Sequence, residues 1–517
     1  MKAFLLALLS LPALGFAQGA LTPAGAPAPS MKTLDQIEAR TPLGVVGTNT
    51  IGLRIRKPGS YVLMGNITVV AGEAIEIDSS NVTLDLNGFT LSTTSIPASG
   101  TAIYLNPSCD NVVIRNGHIG GSGSVNPITG EFLGAGFDGG IACLDTLVNV
   151  FLSDLTISGC RAGIFLFSSS TIDRCVVTSC GLGISGQTVT NCSATSCVQT
   201  AIEATTASNS QGTSYNGIGL KATERATNCS GTTQSGPYGL RVASNDATPV
   251  LGSAENCNGT VASGTGIGLS AGTSTNCHGT SASGSGIDAK SVANSYGKST
   301  AGHGISATTV TGSTGESTDK DGVHCTISSD SFGYSYNMTG FSAATATNCY
   351  GASHAGYGLY AQEATNCHGK SDTGTRGLHA DNTATGCTGE ITTVSGGGSS
   401  CGLWTTTAAN CRGVIGNETG ANGGYIGLSA DIAQNCFGFA ASGNGLRVTT
   451  SALNCYGASI FKSGIGLEVT QGTASSCSGA SGSNFLGFGT ALKAGIAVSC
   501  TSAGGSIVAP QKFLGTP

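Results

Sequence analysis

"ATNCYGASHAGYGLYAQEATNCHGKSDTG", residues 346–374, contains Ala-Thr-Asn-Cys twice, and Cys349 and Cys367 stand eighteen residues apart. Working outward, Leu269, Ile287, Ile305, Val323, Phe341 and Leu359 recur at the same interval. Leu378, Leu403, Leu428, Leu446, Leu467 and Leu492 continue the series with insertions. Eight or so residues after each aliphatic position comes a cysteine or serine. That column reads Cys277, Ser295, Ser313, Ser331, Cys349, Cys367, Cys387, Cys411, Cys436, Cys455, Cys477 and Cys500, and upstream Cys257, Cys229, Ser210, Cys192 and Cys175. Seventeen coils therefore share one register.

Within a coil, alternation comes in short bursts broken by glycine or asparagine, the pattern of short strands joined by tight bends. Leu359, Ala361, Ala364, Cys367, Gly369 and Ser371 fall on one face and are expected to point inward. Helix is excluded by the frequency of glycine and β-branched threonine. A single coil cannot bury its inner face, but stacked coils can, each strand pairing with its equivalent about 4.8 Å away. Seventeen coils would make a rod of roughly 80 Å. The expected fold is all-β, a single-stranded parallel β-helix.

The chain has 517 residues, 81 of them glycine. Hydrophobic residues make up 39% and charged residues 10%. Fixed hydrophobic spacing argues against disorder. Net charge is −6, and no lysine or arginine run points to nucleic acid. "MKAFLLALLSLPALGFAQGA" reads as a signal peptide over 1–17, with Lys2, an apolar run from Ala3 to Leu14, and small residues Gly15 and Ala17 before the cut. Secretion follows, and neither that run nor any later one is long enough to span a bilayer. Residues 18–40 divide into a Pro/Ala/Gly-rich linker and a short capping helix, with Ser30 as N-cap and Met31, Leu34 and Ile37 on one face. Bulkier coils are expected over 41–180, repetitive coils over 181–505, and a tail over 506–517 too short to form a cap domain. That end leaves oligomerisation open.

The N-terminal coils "NVTLDLNGFTL" (81–91), "NVVIRNGHI" (111–119), "NVFLSDLTI" (149–157) and "STIDRCVV" (170–177) place Gly88, Gly117, Leu155 and Cys175 on the cysteine column. With "PGSYVLMGNITV", the phrases "VTLDLNG" and "VVIRNGHI" resemble the right-handed parallel β-helices of the pectate-lyase-like superfamily, and more narrowly secreted bacterial β-helix repeat proteins without an assigned role. The resemblance covers about residues 31–180. It implies a right-handed fold and a bias toward carbohydrate, but it brings no catalytic residue to a position here.

The column after the cysteine varies from Ser230 and Asn258 to Arg412 and Phe437, whereas the cysteine column holds only Cys or Ser. Uniform small residues mark the interior, so the thiols are expected inside. Twenty cysteines in a secreted chain also suggest disulfides. Parallel Cβ vectors and the serine interruptions favour buried thiols as small fillers over a bridged ladder. Asn191, Asn209, Asn228, Asn256, Asn276, Asn294, Asn348, Asn366, Asn410, Asn435 and Asn454 precede column positions, where stacked asparagines suit left-handed bends.

Three places are candidates for function. His278, Tyr296, Phe332, Tyr350 and His368 form an exposed column suited to stacking on sugar rings; an aromatic ladder that stabilises the sheet is the competing reading. The insertion "GGSGSVNPITGEFLGAGFDGG" (120–140) carries Glu131, Phe132, Phe137 and Asp138. Loops carry function more often than coils, although a disordered bulge is the commoner fate of such insertions. Asp85, Arg115 and Asp173, with Ser153 between the last two, are weak catalytic candidates, since sugar hydrolysis needs two carboxylates about 5–9.5 Å apart. His118 is expected to be a surface residue. No metal ligand set or cofactor motif is recognised, so neither is expected. The reading is a secreted binding or scaffold protein for polysaccharide or cell-surface glycan. The alternative is a polysaccharide lyase, hydrolase or epimerase with its site on the N-terminal coils.

Overall fold

The computed structural model describes residues 40–44, 52–126, 129, 131–143, 145, 149–166, 169–243, 251–394, 399–418, 424–461, 464–482 and 489–513. The expected signal peptide, linker and capping helix fall outside these residues. Every described element is a β-strand. The chain winds into a parallel β-solenoid of about 21 turns, roughly 100 Å of stacked coils at the usual strand spacing.

Register is strict where the sequence period is strict. Ile287–Ala293 pairs in parallel with Ile305–Thr311, and Tyr296–Ser299 pairs with Thr314–Ser317. The long strand of each such coil bends in its middle: Ala289 pairs with Ala307 and Ser291 with Thr309, while the residue between pairs with nothing. Insertions enter at this bend or at the corners. In one coil the long strand is split into Tyr238–Val242 and Ser253–Glu255, and both pieces still pair with Leu220–Thr227.

The residue before each column position makes the corner. Asn191, Asn209, Asn228, Asn256, Asn276, Asn294, Asn348, Asn366, Asn410, Asn435 and Asn454 all have φ between 48° and 55°, as asparagine tolerates. The corner side chains also bond along the stack: Asn228 Nδ2 donates to Asn209 Oδ1 at 3.1 Å, and Asn256 Nδ2 to Asn228 Oδ1 at 3.2 Å.

The column itself is buried from Cys175 to Cys500, and all twenty cysteines are buried and unbridged. The slot does more than hold volume. The amide of Cys257 donates to Cys277 Sγ at 3.4 Å, that of Cys277 to Ser295 Oγ at 3.1 Å, and that of Ser295 to Ser313 Oγ at 3.1 Å. Each thiol or hydroxyl in turn donates to the carbonyl two residues before it, Cys277 to Thr275 at 3.2 Å and Ser295 to Ala293 at 2.8 Å. A small side chain that both donates and accepts meets these demands, which confines the slot to Cys or Ser. A second, short column, Cys160, Cys180 and Cys197, runs at another corner. Its successive coils are joined by Gly181 N–H to Cys160 O and Val198 N–H to Cys180 O, and it continues in the buried serine column.

That serine column pins the next bend. Ser281 Oγ donates to Gly266 O of the previous coil at 2.6 Å and accepts Gly284 N–H at 2.9 Å. The same pair of bonds recurs at Ser299, Ser317, Ser335, Ser353 and Ser371. Opposite walls of the coil touch at glycine. A Cβ on Gly297 would lie 2.2 Å from the carbonyl oxygen of Gly304. Leu359, Ala361, Ala364, Cys367, Gly369 and Ser371 are all buried, as the alternation predicts.

One N-terminal assignment is corrected. Gly88 is exposed in a left-handed bend with φ 76°, and Leu86 takes the interior slot, because a Cβ on Gly117 would lie 2.3 Å from the Leu86 Cβ. Leu155 then pairs with Gly117, as expected. The extra half-turn Asn87–Gly88 shifts the first coil by two residues. At the other end, Gly505–Val508 and Gln511–Phe513 pair with Gly489–Lys493 and Ile496–Val498, so coiling continues to Phe513, and the rest of the expected tail lies outside the described residues. Among the described residues no helix is long and apolar enough to cross a membrane.

Candidate functional site

The 120–140 insertion is built. The chain leaves the stack after Val112–Gly120, forms an antiparallel hairpin between Ser124–Val125 and Phe132–Leu133, and rejoins at Gly139–Ala142. Main-chain bonds tie it to its surroundings: Gly136 N–H to Ser95 O at 2.9 Å, Ala98 N–H to Gly134 O at 3.2 Å, and Gly123 N–H to Gly159 O at 3.1 Å. Phe137 is fully buried in the core and anchors the return. Asp138 faces Arg161 at 3.4 Å. At the tip, Asn216 Nδ2 donates to Thr129 O at 3.3 Å, across 87 residues of chain.

Between this flap and the coil face lies an open cleft of about 800 Å³. Its polar lining is Glu131, Arg161, Gln199 and Asn216; its apolar lining includes Pro97, Phe132, Leu133, Leu182 and Val198. Arg161, Gly181, Gln199 and Gly217 follow one another at a single corner, since Cβ atoms on Gly181 and Gly217 would meet the backbones of Arg161 and Gln199. The coils thus set the spacing of the polar groups. Amides and an ion of each sign beside apolar surface can orient a neutral or weakly charged polyhydroxyl ligand. Among the described residues Glu131 is the sole carboxylate in the lining, one short of the pair that hydrolysis of a glycosidic bond requires. Reading from sequence found Glu131 and Phe132 but missed Arg161, Gln199 and Asn216. Their signal was the near-18-residue step, visible only once the flap's resting place is known.

Asp85, Arg115, Ser153 and Asp173 occupy one column on four successive coils. Asp85 and Asp173 are thus three steps apart, about 14 Å at the usual spacing. Asp85 is 6% exposed. It receives Arg40 at 2.8 Å, Asn87 N–H at 2.8 Å and Asn116 Nδ2 at 3.1 Å, with Arg115 at 3.4 Å. It works as a hub that ties the first coils together. Asp173 contacts Arg174 and accepts Asn191 Nδ2 at 2.9 Å. Arg174 also donates to Asp154 at 2.7 Å and holds that carboxyl below its usual range. His118 is exposed.

His278, Tyr296, Phe332, Tyr350 and His368 do form one column, with Thr314 between Tyr296 and Phe332. Phe332 and Tyr350 stack at 5.3 Å, 9° from parallel, so each covers a face of the other. His278–Tyr296 and Tyr350–His368 meet edge to face at 4.9 Å. A denser ring cluster lies on another face. Arg376 lies 4.7 Å from the Trp404 ring and 5.7 Å from the Tyr357 ring. His379 meets Trp404 edge-on at 4.5 Å, and Tyr360 Oη donates to Asp381 at 2.6 Å. Burial, then the Arg376 charge, pushes the His379 pKa down to about 4.

Compared with protein-family models, curated proteins and solved structures, the chain matches none. The solenoid class therefore rests on the coil-to-coil parallel strand pairing.

Proposed function

We propose that this is a secreted, extracellular binding or scaffold protein that holds a polysaccharide or cell-surface glycan in the cleft beneath the 120–138 flap. The observation that carries this reading is the cleft: about 800 Å³, walled by Gln199, Asn216, Arg161 and Glu131 beside Phe132 and Leu182. Amide and charged groups that alternate with apolar surface suit a sugar ring, which presents hydroxyls at its rim and C–H groups on its faces. Export rests on the 1–17 leader. Right-handed coiling, and with it kinship to the pectate-lyase-like helices, rests on the strong preference for right-handed crossovers between parallel strands of one sheet.

The test is a soluble polysaccharide and glycan array with three proteins: wild type, Gln199→Ala/Asn216→Ala, and Tyr296→Ala/Phe332→Ala/Tyr350→Ala. Binding by the wild type, weakened at least about tenfold in the first variant and kept in the second, is expected. A wild type that binds no glycan, or a cleft variant that binds as well as wild type, would defeat the reading. Loss confined to the aromatic variant would move the site to the stripe. Release of reducing or unsaturated sugars, abolished by Asp85→Asn or Asp173→Asn, would replace it with the enzyme alternative.

A further inference from the structure

The coil register brings together three side chains that the linear sequence keeps apart. Ile305 pairs with Val323, so Asp321 stands over His303 and His324 over Ser306. Gly304 N–H donates to Asp321 O at 3.1 Å, which fixes the two backbones against each other. One ligand atom from each of His303, Asp321 and His324 lies within 4.8 Å of the others. The imidazoles are near-parallel, 4.9 Å apart and 28° between planes. His324 Nδ1 is 3.2 Å from Asp321 Oδ2. An ordinary surface ion pair would explain Asp321 and His324. It does not explain His303, whose Nδ1 is enclosed by protein and has no hydrogen-bond partner. A buried ring nitrogen without a partner is costly unless something occupies its lone pair.

We propose that His303, Asp321 and His324 form a binding site for a borderline divalent transition metal, with Zn²⁺ as the reference ion. Two imidazoles and a carboxylate are a donor set that Zn²⁺ and its first-row neighbours take, and that Ca²⁺ and Mg²⁺ do not favour. In a tetrahedral Zn²⁺ site the ligand atoms sit about 3.4 Å apart at bonds of about 2.1 Å. The three ligand atoms, within 4.8 Å of one another, would have to draw together on binding, and the His324 side chain is exposed. Three protein ligands leave a fourth position open to water or to a ligand from solution. The site is independent of the flap cleft, and it stands whether or not that cleft binds glycan.

Tag-free, metal-stripped full-length protein is titrated with Zn²⁺ by calorimetry at neutral pH, and with Co²⁺ by absorbance. One equivalent of Zn²⁺ is expected. Binding should weaken at least about tenfold in His324→Ala and in His303→Ala, and stay unchanged in His354→Ala, a control that stacks on Tyr336 outside the cluster. His324 is exposed, so its variant folds even if the His303 change disturbs the coil. The Co²⁺ complex should show ligand-field bands without thiolate charge transfer. Absence of binding, equal binding by His324→Ala, or a thiolate band assigning the metal to cysteine would overturn the proposal.

Discussion

Cys277 and Ser295 occupy consecutive steps of one interior column, and the amide of the first donates to the hydroxyl oxygen of the second at 3.1 Å. One step earlier, the amide of Cys257 meets the sulfur of Cys277 in the same way at 3.4 Å. Sulfur and oxygen are interchangeable here because the slot requires one donor and one acceptor on a single short arm.

Cys277→Ser is accordingly expected to shift stability by less than about 1 kcal/mol, while Cys277→Ala strands the Cys257 amide, the Thr275 carbonyl still accepting Asn256 N–H at 3.0 Å, and costs about 1–3 kcal/mol. Urea unfolding midpoints of the three proteins decide this. Equal midpoints for Ser and Ala variants would mean that volume alone sets the column.

Alkylation reads the same ladder from outside. In the native protein the thiols should be silent, since all are buried and burial pushes Cys325 and Cys401 up to about 12. In the column the hydrogen bond of a neighbouring thiol pulls Cys277, Cys367 and Cys411 down instead, so enclosure in the core and not a raised pKa is what should keep modification slow through pH 10. Unfolded without reductant, the chain should release all 20 thiols. A markedly smaller count would show that bridges form in the exported protein.

The glycine contact between opposite walls is equally specific. Gly297→Ala places a Cβ 2.2 Å from the Gly304 carbonyl oxygen, and backbone cannot yield as a side chain would. A loss of about 1–3 kcal/mol is expected. Gly120→Ala is the control, because its nearest neighbour is a Thr90 methyl at 3.9 Å. Thermal unfolding of both variants should separate them; coincident curves would contradict the close packing.

His379 should be neutral in the folded chain until about pH 4, whereas the unfolded chain protonates it near its ordinary value of 6.5. Between these values the unfolded state binds more protons, so stability falls as pH drops from 6.5 toward 4 and is retained above 6.5. Trp404, the sole tryptophan, touches the ring and reports on it. Its emission should hold steady from pH 8 to about 5 and change near 4. A transition near 6.5, absent in His379→Gln, would show the imidazole to be freely solvated.

The solenoid was legible because column residues repeat chemically: Cys349 and Cys367 resemble each other in any reading. Where repetition is weak, so was the reading. The alignment puts Gly88 in the column where Leu86 belongs, two residues away, because a single early coil carries extra residues at its corner. The three-coil run Cys160, Cys180 and Cys197 is too short to announce a period. Glu131 and Phe132 stood out in the insertion, but the fold-back that brings Thr129 to Asn216 is a tertiary contact with no local signature. His303, Asp321 and His324 look unrelated in sequence, since their proximity comes from coil stacking and not from any motif.

Ser295, Ser313 and Ser331 interrupt the interior column between Cys277 and Cys349. Those four steps open a gap of about 19 Å in the sulfur path. Thiol–disulfide exchange proceeds by direct attack of one sulfur on another, so it cannot jump that distance. The three hydroxyls act as a firebreak along the column: an oxidative lesion begun among its sulfurs on one side finds no column sulfur to pass to, and the one thiol on the intervening coils, Cys325, sits on a different strand.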